Sequence, residues 1–238
     1  MVMGATTLSL KVGVIAQHME HPTRYSNRIR RHRDQFTRIN QALATYGLEP
    51  HTEPESLKKG CWSAELLSTR EIHCVRWIAA YLWHRKALPA YENPDTTRYN
   101  PLVKQLEADM YDIAAGRKTV RDGFAKTGFT HLVVHADDTG YYLPIDFDNV
   151  IFSRHGIDGG MIGSSYRLRE ECAFIAQRLK FPIQHARADI LDTLYYVPSE
   201  KTRPALWQQY PEVVMNLHTL YHAANASITR NAALVLGG

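Results

Sequence analysis

The sequence predicts an α+β fold: a small, largely antiparallel sheet covered by several amphipathic helices. Apolar residues recur at helical spacing in several well-separated stretches. Short β-branched or aromatic runs cluster in the middle of the chain instead of alternating regularly with helices. No internal repeat is evident. At 238 residues, 45% hydrophobic and 22% charged, the chain is long enough to bury a sizeable core as one domain. Residues 89–101 (PAYENPDTTRYNP) are its clearest loop, either flexible or a boundary between subdomains.

Taken in order, residues 8–16 read as a first strand, closed by His18, His21 and Pro22. A helix is expected from Ser26 to Tyr46, with Ile29, Phe36, Ile39, Leu43 and Tyr46 on one face and Gly47 just past its end. Residues 48–60 form a polar connection. The stretch from Ser68 to Leu88 is apolar over much of its circumference and should be a buried helix. Pro101 suits the first position of a helix that runs to Ala115.

The central stretch, residues 130–168, carries most of the candidate chemistry. HLVVH (131–135) and YYLPID (141–146) flank Asp138-Thr139-Gly140 and read as an antiparallel hairpin. Pro144 makes its second strand an edge or a bulged strand. Asn149 to Phe152 adds a further strand. Leu168, Cys172, Ile175 and Leu179 mark a strong amphipathic helix from Ser164 or Ser165 to Lys180. A shorter helix is expected over 187–197, then a long one from Pro204 or Pro211 to Thr229, and a terminal strand over 232–236.

Composition narrows the function classes. No apolar run approaches the ~20 residues of a membrane span. The N-terminal stretch lacks a basic region and a cleavage site, so export is not expected. The three cysteines, Cys61, Cys74 and Cys172, form no CxxC pair, which fits a reducing, cytoplasmic setting. The net charge of +4 permits an acidic partner without demanding one.

Three groups of residues are candidates for function. His135, Asp146, Ser164 and Ser165 are candidate catalytic groups, although no G-x-S-x-G elbow surrounds either serine. Gly160, Gly163, Ser164 and Ser165 precede a helix, where free N–H groups and hydroxyls suit an anion, with Arg167 in support. The competing reading is a serine-capped helix entered through glycine bends. Arg30, Arg31 and Arg33 on the first long helix form a candidate partner surface, or else a solvated face paired to nearby acids. The spacing of histidines and acids matches no metal signature, so no metal site is assigned, and no cofactor is implied.

The pattern H-x-D-x-x-G-x-Y-L-P-x-D-F, from His135 to Phe147, resembles an uncharacterised family of bacterial cytosolic proteins. Gly159-Gly160-Met161-Ile162-Gly163-Ser164-Ser165 and the segment Leu48 to Pro54 fit the same resemblance. It implies no activity. The sequence therefore favours a binding or interaction protein, immunity- or regulator-like, whose partner is an acidic protein or an anionic small molecule. Nucleic acid ranks below both. The alternative is a small hydrolase or transferase acting on an anionic substrate at the His/Asp and Gly/Ser cluster.

Overall fold

The computed structural model describes residues 7–66, 70–90, 97, 99–186, 191, 193–195 and 204–237. The chain forms β1 (Leu8–Val12), α1 (Val14–Met19), α2 (Ser26–Thr45), β2 (Trp62–Leu66), α3 (Arg70–Arg85) and α4 (Pro101–Ala114). There follow α5 (Thr130–Val133), β3 (Thr139–Leu143), β4 (Ile151–Phe152), β5 (Met161–Ser164) and α6 (Ser165–Leu179). Helix α7 (Pro211–Arg230) and β6 (Leu234–Gly237) complete it, with short 3₁₀ turns at Thr193–Tyr195 and Leu206–Gln209.

The six strands form one sheet in the order β2-β1-β6-β3-β5-β4. All neighbours are antiparallel except β3 and β5, which run parallel. The α+β expectation is thus met, with one parallel pair in a mostly antiparallel sheet. Strand period two sorts the side chains into two cores. Leu8, Leu10, Tyr142, Leu234 and Leu236 face the larger one, with Trp77, Leu168, Cys172 and Leu217 from α3, α6 and α7. Tyr141, Leu143, Ile162 and Ala233 face the smaller one, closed by Phe36, Ile39 and Leu43 of α2. The sheet is therefore sandwiched between helices.

Several expectations change at this level. The HLVVH hairpin does not form: residues 130–133 are a helical turn, and β3 pairs with β5 and β6 instead. Residues 129–134 are all buried, Thr130 and His131 included, and a short, uniformly buried run has no periodicity with which to tell strand from helix. Tertiary contacts decide it. The Glu171 carboxylate accepts the N–H groups of His131 (3.1 Å) and Leu132 (2.7 Å), capping the start of α5. At the other end the Arg76 guanidinium donates to the carbonyls of Leu132 (2.9 Å) and His135 (3.0 Å).

Strand β3 is interior, not an edge, because Pro144 lies just past its end. The first strand stops at Val12, where Gly13 (φ 84°) turns the chain into α1. Strand β2 falls in a stretch whose sequence carried no strand expectation. The C-terminal strand sits near the middle of the sheet, between β1 and β3. Residues 187–190, 192 and 196–197 of the helix expected over 187–197, and residues 91–96 and 98 of the 89–101 loop, lie outside the described residues.

Candidate functional site

The end of β3, the loop after it and the start of α6 bring most of the candidate residues near one another, and their hydrogen bonds say what each does. Ser164, the N-cap of α6, donates its hydroxyl to the carbonyl of Ile145 (2.6 Å) and accepts the N–H of Arg167 (3.4 Å). Its own N–H donates to His131 Nδ1 (2.9 Å), which fixes the His131 proton on Nε2, facing the carbonyl of Asp148 at 3.1 Å. Burial drives the His131 pKa down to about 3, so the ring is neutral. Ser165 donates to Ser227 (2.8 Å), which donates to the carbonyl of Ala232 (2.7 Å), tying the start of α6 to the end of α7.

His135 lies behind this layer. Its ring stacks on Tyr142 with centroids 4.0 Å apart, and its nitrogens face the carbonyls of Ala136 and Tyr141. Burial lowers its pKa to about 4. The Tyr142 hydroxyl donates to the carbonyl of His131 (2.8 Å). Its ring lies over Gly163, its register partner in β5, where an added Cβ would come within 2.3 Å of the ring. Glycine is needed there for that close approach.

The four candidate catalytic groups are thus engaged separately. Neither serine hydroxyl bonds an imidazole, and Asp146 points instead to Arg167. The donors considered for an anion are also used within the fold. Gly160 N–H donates to the carbonyl of Ile157 (2.9 Å), Ser164 N–H to His131, and the Arg167 guanidinium pairs with Asp146. Among the arginines of α2, Arg30 donates to Asn27 (3.2 Å), Arg31 pairs with Asp158 (2.9 Å), and Arg33 pairs with Glu55. All three are exposed.

A cluster of ion pairs is built around Arg167. Its guanidinium meets Asp146 (2.7 Å), Asp148 (3.1 Å) and Glu170 (2.7 Å), and Lys126 also reaches Asp148 (2.9 Å). The arginine side chain is only 8% exposed, whereas those of Asp146, Asp148 and Glu170 are 54%, 49% and 50% exposed. One buried cation therefore fixes three half-exposed carboxylates. Lys126 and Glu170 also border a shallow cleft of about 810 Å³ floored by Phe124, Phe174 and Phe181.

Some of these residues escaped the sequence reading. Glu171 falls three positions after Leu168 on the buried stripe of α6, a legible signal that a carboxylate is spent inside the core. Its pKa is pushed up to about 8 by burial, opposed by its bonds from Thr127, His131 and Leu132. Arg76, inside the apolar helix α3, is the matching signal in cationic form. It pairs with Asp137, and burial of that carboxyl is outweighed by His73 and Arg76, which hold its pKa well below the usual range. Glu170 and Lys126 carried no signal beyond being charged.

Comparison with known families now adds to this geometry. The sequence model of a family described as "Putative DNA-mimic protein" matches residues 6–236, nearly the whole chain. The chain belongs to this DNA-mimic family. No curated protein and no solved structure matches it. Membership of a DNA-mimic family makes the chain an interaction protein. It also overturns the low rank given to nucleic acid among the partner classes. Mimicry of DNA implies partners that bind nucleic acid, a relation that a search for DNA-contacting motifs in the chain could not reveal. Among the described residues, no helix is long and apolar enough to cross a membrane.

Proposed function

We propose that this chain occupies the DNA-contacting face of a nucleic-acid-binding protein, and that Asp146, Asp148 and Glu170 supply the anionic contacts. The observation that carries this reading is the carboxylate trio fixed by buried Arg167. Duplex DNA carries about one negative charge per 1.7 Å of axis. A chain with net charge +4 does not reproduce that density over its whole surface, so its mimicry must be local. Three carboxylates already held in place cost little further ordering on binding. A lysine or arginine of the partner would compete with Lys126 for Asp148, and the aromatic cleft alongside offers apolar contact. A regulator- or immunity-like role follows, in which the chain keeps its partner from DNA.

The test is displacement. Proteins of the native host are retained on immobilised duplex DNA and eluted with the purified chain, then with an Asp148→Asn/Glu170→Gln variant. Asp146 stays in place, because stripping every carboxylate from Arg167 would leave a buried charge unpaired, at a cost of about 3–5 kcal/mol. The wild-type chain should release a defined DNA-binding protein, and the variant should need at least tenfold more protein to do so. Equal release by both removes the trio from the interface, and no release by either refutes the function.

A further inference from the structure

Two histidines of α7 lie outside everything described above. His218 and His222 are four residues apart on one helix face, with ring centroids 4.2 Å apart. The Nε2 atom of each ring is buried and has no hydrogen-bond partner. Backbone carbonyls lie beside the rings, that of Ala186 at His218 and that of Ile183 at His222. With the proton on Nδ1, a neutral ring carries a free lone pair on its buried Nε2. A buried polar atom left unpaired is costly, so two of them side by side call for a physical reason.

We infer that His218 and His222 form a two-histidine chelate for a divalent transition-metal ion of the Zn²⁺, Ni²⁺ or Cu²⁺ class. Histidines at i and i+4 on a helix present both nitrogens to one ion, as in the H-x-x-x-H half of zinc sites. A backbone carbonyl beside the second ring nitrogen is a common outer support of a metal-bound imidazole, and those of Ala186 and Ile183 are the candidates here. Burial, with His222 adding to it at His218, lowers both pKa values and keeps the rings in the neutral form that a metal needs. Among the described residues no group of three or more His, Cys, Asp or Glu side chains could hold a metal, so the chelate rests on these two rings. The pair is screened by the segment Phe181 to Ala186, and Phe181 packs edge-on to His218. The ion would pin that segment to α7.

Calorimetric titration of the full chain with Ni²⁺ at pH 7.5 reads the site directly. His218→Gln and His222→Gln should each weaken the tightest binding step at least tenfold, whereas His18→Gln should leave it unchanged. Equal affinity in all three variants overturns the inference. Where a glutamine variant fails to fold, sub-stoichiometric Cu²⁺ is added to the wild-type chain and its histidine ring signals are followed by NMR. Broadening of the His218 and His222 signals first supports the chelate. Earlier broadening of any other histidine overturns it.

Discussion

His131 joins three parts of the site through its two ring nitrogens and its backbone, so its protonation state carries a structural consequence. The ring accepts from Ser164 N–H and donates to the Asp148 carbonyl, an arrangement open only to neutral imidazole. Its pKa is depressed from 6.5 to about 3, and that of His135 to about 4. A base depressed by folding contributes stability that is intact above its unfolded pKa and is lost as pH falls towards its folded pKa. Stability should therefore fall between about pH 6.5 and pH 4, by at most ~1.4 kcal/mol per pH unit for each histidine. Urea unfolding at pH 7, 6, 5 and 4 checks this. His131→Gln should be less stable at pH 7, yet show a shallower decline towards pH 4. A variant that keeps the wild-type slope would assign the acid sensitivity to other groups.

Three helices end in the same way, and the sequence makes only one of the three obvious. After α2, Gly47 (φ 66°) lets the Leu48 N–H reach back to Leu43 (3.1 Å). After α6, Lys180 (φ 58°) lets Phe181 N–H reach Ala176 (2.9 Å), and after α7 Asn231 (φ 49°) lets Ala232 N–H reach Ser227 (3.1 Å). Glycine announces the first, and Pro182 marks the second by what it forbids. The helices were legible because their apolar stripes are long and periodic. The centre was not, because α5 is a single buried turn whose identity rests on Glu171 and Arg76, each remote in sequence. The candidate site was legible to a similar degree. Asp146 and Arg167 stood out as residues, but their pairing depends on the fold. Lys180 is exposed and holds a left-handed conformation that disfavours any residue with a Cβ. Lys180→Gly should therefore raise the unfolding free energy by about 0.5–1 kcal/mol, seen as a higher urea midpoint with unchanged m. A lower midpoint would mean that the Lys180 side chain stabilises α6 by a contact that outweighs its backbone strain.

At the scale of the whole molecule, the chain's two ends meet in the sheet. Strand β6 aligns Leu234 and Leu236 with Val12 and Leu10 of β1 on one side, and with Tyr142 and Gly140 of β3 on the other. Without it, β1 and β2 have no hydrogen-bonded link to β3, β5 and β4. Leu234, Leu236 and Ala233 are buried, and they serve both cores. Removing residues 234–238 would expose two long strand edges and open both layers, which favours association over folding. The truncated chain should lose its cooperative thermal transition by circular dichroism and elute as aggregate. Val235→Thr, at a partly buried position of the same strand, should elute as the wild-type chain does, with a modest loss of stability. A truncated chain that elutes as the wild-type chain does and melts cooperatively would mean that β1 and β3 close the sheet by themselves. The carboxylates around Arg167 could then be displayed without the C-terminal strand. If the strand is essential, loss of the proposed competition with DNA on truncation reports only on folding, and the side-chain variants remain the proper probe of the proposed interface.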